Sequence, residues 1–107
     1  MIIVIDIDGV IAQENENNYI DYSSVELIKG AKNCIEKLIN EGHHIILYTA
    51  RLECDRQITE GWLYLCQIPY HELHFGKPYA DIYIDDKALK FNNWNQIELE
   101  FFGEKNG

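Results

Sequence analysis

Basic residues are scarce in this 107-residue sequence: nine Lys and Arg stand against eighteen Asp and Glu, a formal charge of −9. That balance argues against a general binder of nucleic-acid backbones, whose footprint is a basic face. It leaves room for a nucleotide or sugar phosphate, which a metal and a few local cations can hold. The three cysteines, Cys34, Cys54 and Cys66, form no CxxC pair and are odd in number. Free thiols in a reducing cytosol are the simpler reading. No apolar run approaches the ~20 residues of a membrane span, and the opening run is too short and lacks a basic leader. A soluble cytoplasmic protein with no membrane partner is expected. Neither an internal repeat nor a linker is visible, so residues 1-107 are read as one domain of common size. Apolar residues make up 47% and aromatics 12%, enough for a core and far from a disordered profile.

What is present begins with Met1-Ile-Ile-Val-Ile-Asp6-Ile-Asp8-Gly9. Ile2 to Ile5, β-branched throughout and without polar alternation, predicts a strand buried on both faces. Asp6 and Asp8 stand at or just past its carboxyl end, where an open parallel sheet keeps its ligand crevice. Two acids beside so apolar a strand are costly unless something cationic meets them.

The chain then alternates. Residues 12–24 are polar and aperiodic, a loop long enough to act as a flap over the crevice, with Glu14 and Glu16 expected to face solvent. Val25 to Glu41 carries apolar residues at three-and-four spacing, and its firm helical part is Ala31 to Glu41, because Gly30 suits a helix start and Gly42 the C′ position. Ile45 to Tyr48 predicts a second strand, and the strand–helix–strand unit predicts parallel pairing. Asp55 to Gln67 predicts a second helix, capped by Asp55, with Ile58, Trp62, Leu65 and Cys66 on one face; Pro69 stops it. Leu73 to Phe75 is a short strand, and Ile82-Tyr83-Ile84 reads as a fourth. Asn93-Trp-Asn-Gln96 has the form of a capping box, opening a helix with Trp94, Ile97 and Phe101 on one stripe.

Polar residues collect at strand ends: Asp6 and Asp8 after the first, Thr49 and Arg51 after the second, Asp85 and Asp86 after the fourth, with Lys77 in the loop before it. Four carboxylates meeting in one crevice need a cation, and an all-oxygen cluster suits Mg2+. Thr49 and Lys77 add a hydroxyl and an ammonium for a phosphoryl group. One carboxylate can then be a nucleophile forming an aspartyl-phosphate, and a second, two residues on, an acid and then a base.

DIDGV at 6–10, LYTAR at 47–51, GKP at 76–78 and YIDDKA at 83–88 resemble, in order, the four motifs of the haloacid dehalogenase (HAD) superfamily of phosphohydrolases. The resemblance covers residues 2 to about 90. It implies a three-layer, Rossmann-like α/β domain with a mainly parallel sheet of about four strands. It implies Asp6 as nucleophile and Mg2+ ligand, and Asp8 as acid/base with its main-chain carbonyl on the metal. Thr49, Ala50, Arg51 and Lys77 would hold phosphate. Asp85 would bind Mg2+ directly, and Asp86 directly or through water. Neither interval that houses a cap in the family has room for one, so a capless member is implied.

Other readings stand beside this one. A calcium loop at Asp6 and Asp8 is disfavoured, since those ligands follow a helix and run on to a Glu. Arg51 contacts phosphate or pairs with Asp55 or Glu53. His43 and His44 are read as surface residues, His71 and His74 as structural, and Asp81 as a brace for the Asp85 loop. A receiver-like phosphoacceptor is a rival function, although its acid pair comes first in sequence, not last. A binding protein that keeps an idle pocket is another. The leading expectation is a Mg2+-dependent phosphomonoesterase acting on a small phosphorylated metabolite, a sugar phosphate or nucleotide, and forming a homo-oligomer through its aromatic C-terminal segment.

Overall fold

The structure is a computed structural model describing residues 1–14 and 22–103. The opening β-branched run forms β1 (Ile2–Ile5), and the run before Thr49 forms β2 (His44–Tyr48). They pair in parallel, from Ile2 opposite His44 to Ile5 opposite Leu47. β3 (Glu72–His74) joins the far side of β2, again in parallel, with Leu47 opposite Leu73. The order β1-β2-β3 puts β1 at an edge. Parallel neighbours need crossovers rather than hairpins. These are supplied by α1 (Ala31–Asn40) and by α2 (Arg56–Leu65), the latter entered through a 3-10 turn at Glu53–Asp55. A last helix, α3 (Trp94–Phe102), packs on α1.

The helix ends follow local chemistry. After α1 the chain turns at Gly42, whose φ of +93° only glycine adopts freely. There the Gly42 N–H donates to Ile39 O and the His43 N–H to Leu38 O, which closes the end as a Schellman motif. At α3 the Asn93 side chain accepts from the Gln96 N–H at 2.8 Å, the forward half of the expected capping box. The return half is rerouted, because Gln96 Oε1 accepts from the Asn92 side-chain amide instead. Asn93→Ala should therefore cost about 1 kcal/mol and lower the melting temperature by roughly 5 °C. A thermal melt indistinguishable from wild type would deny the cap any such role.

One apolar cluster joins Ile5, Ile45 and Leu47 of the sheet to Ala31, Cys34, Ile35 and Leu38 of α1, Trp62 and Leu63 of α2, and Trp94 and Ile97 of α3. Residues 5, 45 and 47 lie on one face, by the alternation of a strand. Their burial, at roughly 1.5–3 kcal/mol for each large side chain, is what fixes the register of Asp6 beyond them.

Five expectations differ from the structure. β1 is not buried on both faces: Ile2 is 68% and Val4 56% exposed, because the described helices bury the opposite face. The described residues thus make a helical layer on one face of the sheet rather than three layers. The fourth strand does not form. Ile82 and Ile84 are exposed, and Tyr83 is held by a local bond from its hydroxyl to the Pro78 carbonyl and by Lys77 over its ring. β-branching supplies propensity, but a strand needs a partner edge, and this loop closes on itself. On α2 the buried stripe is Thr59, Trp62 and Leu63, while Ile58 and Leu65 face solvent. Asp55 occupies the cap position without a side-chain cap bond.

Candidate active site

The turn after β1 is built so that its two carboxylates stand apart from the core. Ile7, fully buried between them, anchors the segment. Its carbonyl accepts from the N–H groups of Ile11 and Ala12 at 2.8 and 2.9 Å. Gly9 makes the reversal at φ +87°, and a Cβ there would lie 3.2 Å from the Glu14 carboxylate. Beyond the turn, Gln13 N–H to Glu26 O and Ile28 N–H to Ile11 O tie together the two ends of the polar loop. The flap expected over residues 12–24 falls mostly on 15–21, including Glu16, outside the described residues; Glu14 is exposed.

β2 delivers the next components. Thr49 is fully buried, its N–H donating to His74 O and its carbonyl accepting from the Lys77 N–H at 3.0 Å. The chain after β3 is thereby pinned against the end of β2, and Lys77 is carried across to β1. Its ammonium lies 3.2 Å from Asp6 Oδ2, while Asp6 Oδ1 accepts from the Ile7 N–H at 2.8 Å. The cost of the first acid beside its apolar strand is met by Lys77. The cost of the second is met by Arg51.

Arg51 contacts neither Asp55 nor Glu53. Its Nε and Nη2 donate to Asp8 Oδ2 and Oδ1 at 3.0 and 2.8 Å, a bidentate pair. Nη1 donates to Thr59 Oγ1 at 3.1 Å, and the guanidinium lies 3.8 Å from the centre of the Tyr22 ring. The Arg51 side chain is 1% exposed, and that of Asp8 33%. The Arg51 N–H also donates to Thr49 Oγ1. Burial, and next the Asp8 carboxylate, push the Tyr22 phenol up from its ordinary value, so it is neutral at pH 7. Ala50, half-buried, lines with Arg51, Gly76 and Lys77 an open depression of about 400 Å3.

Five expected residues, Asp6, Asp8, Thr49, Arg51 and Lys77, are thus brought together. Asp85 and Asp86 are not. Both are exposed, and Asp85 Oδ1 accepts from the Lys87 N–H in its own loop. The donors at β1 are all oxygen and fit a hard cation in kind, but among the described residues no three ligating side chains converge. The histidines serve the sheet: His44 and His74 bond Glu72, holding its carboxyl below the usual range, and His44 stacks on His71. Tyr22 and Thr59 were missed by the sequence reading. A threonine inside a buried helical stripe needs a polar partner, and here Arg51 supplies it.

No family profile matches the sequence, and neither does any curated protein. Solved structures do. A target protein from Vibrio cholerae superposes with a TM-score of 0.73 at 25% identity, over 89% of this chain and 85% of that one. A chain of the Pnkp1/Rnl/Hen1 RNA repair complex matches with a TM-score of 0.60 at 21% identity, over 97% of this chain. This protein spans only 31% of that chain. The D,D-heptose 1.7-bisphosphate phosphatase from B. bronchiseptica, solved with magnesium and phosphate, matches with a TM-score of 0.56 at 17% identity, over 81% of this chain and 53% of that one. The chain shares its fold with these structures. Its parallel sheet places Asp6 and Thr49 just past the ends of adjacent strands, with Lys77 carried across to Asp6. Among the described residues no helix is long and apolar enough to cross a membrane.

Proposed function

We propose that the protein is a phosphomonoesterase working through an aspartyl-phosphate on Asp6. The observation that carries the reading is the meeting of Asp6 and Lys77 at 3.2 Å, with Asp8 and buried Thr49 beside them, at the carboxyl edge of a parallel sheet. Lys77 offers the positive charge that a phosphoryl group needs, and its ammonium lies beside the Asp6 carboxylate. The Thr49 Oγ1 already accepts from Arg51 N–H, so its own proton is available to donate to a phosphoryl oxygen.

The reaction then follows in two displacements. An Asp6 oxygen bonds to phosphorus as the bond from phosphorus to the leaving oxygen breaks, and Asp8 gives that oxygen its proton. Asp8, now a carboxylate, takes a proton from water as the water oxygen bonds to phosphorus. The phosphorus–Asp6 bond breaks, and phosphate and the Asp6 carboxylate are restored. Mg2+ is the expected cofactor: Asp6 and the Asp8 main-chain carbonyl would hold it and it would neutralise charge on the phosphoryl oxygens, while Asp85 and Asp86 stand in their own exposed loop. The open depression beside Lys77 and the acidic surface favour a small phosphorylated metabolite, a sugar phosphate or nucleotide.

The test is hydrolysis of p-nitrophenyl phosphate with and without Mg2+, followed by a screen of sugar phosphates, nucleotides and phosphopeptides. Turnover that stops with EDTA and returns with Mg2+ is expected. A phospho-protein that persists for minutes without turnover would instead favour a receiver-like phosphoacceptor.

A further inference from the structure

We propose that Arg51 is a positioning residue for Asp8: its buried guanidinium grips the carboxylate by both oxygens and fixes which lone pairs face the crevice. The inference rests on reading Asp8 as the acid and base of a phosphatase. It changes the expectation for Arg51, from a phosphate ligand or a surface ion pair to the holder of the proton-carrying group.

The geometry is that of a clamp. Two of the three guanidinium nitrogens donate to Asp8, at 3.0 and 2.8 Å, and the third donates to Thr59 Oγ1 on α2. Tyr22 covers the guanidinium face at 3.8 Å. The main chain is fixed too, since the Arg51 N–H donates to Thr49 Oγ1 at 3.1 Å. A guanidinium with 1% exposure is too costly to keep for an occasional ligand, and the two Asp8 oxygens satisfy its fork. Asp8 keeps 33% exposure on its other side. Each carboxylate oxygen has two lone-pair sites. The fork occupies one on each and leaves one on each for a proton aimed at the leaving oxygen or at water. Lysine would retain the charge but not the fork, so charge and orientation are separable by substitution.

Orientation has a kinetic signature that bulk stability lacks. p-Nitrophenolate leaves without a proton, whereas an alkoxide does not. In Arg51→Lys, single-turnover release from p-nitrophenyl phosphate should stay within about threefold of wild type, because that step does not need Asp8. Turnover of an alkyl phosphate such as glycerol phosphate should fall on the order of 10²-fold, the cost of a misplaced acid, with KM within about threefold. Arg51→Ala should fall further with the alkyl ester and recover about tenfold with added ethylguanidinium, but not with ethylammonium. If Arg51→Ala fails to fold, Thr59→Val and Tyr22→Leu, which loosen the clamp from behind, should show a smaller loss with the same preference for the alkyl ester.

Equal losses with both esters in all these variants, or an unimpaired Arg51→Lys, would overturn the inference. So would a raised KM with unchanged kcat, which would make Arg51 a phosphate ligand. A wild-type protein inert on both esters overturns the phosphatase reading and the inference together. Wild-type turnover with uniform losses overturns the inference alone.

Discussion

Asp6→Asn is expected to lower phosphatase turnover on the order of 10⁴-fold or more, the scale on which loss of a covalent nucleophile is felt. It should also abolish the burst of p-nitrophenolate. The substitution is nearly isosteric, and the Asn amide oxygen can still accept the Ile7 N–H that now bonds Asp6 Oδ1. What disappears is the carboxylate oxygen that would bond to phosphorus, along with the partner of Lys77. That second loss is minor for stability. The pair is part-exposed, with side chains at 35% and 20%, and such pairs contribute at most about 1 kcal/mol. Asp6→Asn should therefore melt within a few degrees of wild type while losing nearly all activity. Retained turnover with a normal burst would assign the nucleophile elsewhere. An inactive variant that also melts far below wild type would show that the pair stabilises the fold more than its exposure allows.

The sequence made the ends of β1 and β2 legible because both runs are apolar and stop at polar residues, and the core then fixes their register. Asp6, Asp8 and Thr49 inherit their places from that register, and Lys77 from the main-chain bond to Thr49. What failed depended on partners that spacing does not reveal. Ile82 to Ile84 has strand chemistry, yet its edge is unpaired and Tyr83 closes on Pro78. Arg51 has carboxylates nearby in sequence at Glu53 and Asp55, yet Glu53 is taken by Arg56 and Arg51 reaches back to Asp8. Side-chain pairings across the crevice join residues 43 and 71 positions apart. Periodicity says nothing about which of two acids a guanidinium will choose.

Trp94→Ala is expected to cost about 3–5 kcal/mol, a large share of the 5–15 kcal/mol that holds an ordinary domain together. Two losses combine. The indole is buried at 4% exposure, edge-on to Phe91, and its Cβ would lie 3.0 Å from a Cβ added at Gly30, so the ring packs where the chain enters α1. Its Nε1–H donates to the Val10 carbonyl at 2.7 Å. Val10 is two residues past Asp8, so α3 is bonded directly to the turn that carries the candidate acid. Trp62 does the same at the other end of the polar loop, donating to the Val25 carbonyl at 3.0 Å. Trp94→Phe separates the two effects: it keeps most of the buried area and leaves the Val10 carbonyl without its donor, at about 1–2 kcal/mol. Urea denaturation of the three proteins should order them wild type, Trp94→Phe, Trp94→Ala. A Trp94→Phe variant as stable as wild type would mean water replaces the indole on Val10. If the bond also steadies Asp8, Trp94→Phe should lose kcat on alkyl phosphates more than its stability alone requires at temperatures well below its melt. An unchanged kcat there would confine the helix to a structural role and leave the placement of Asp8 to the Arg51 clamp.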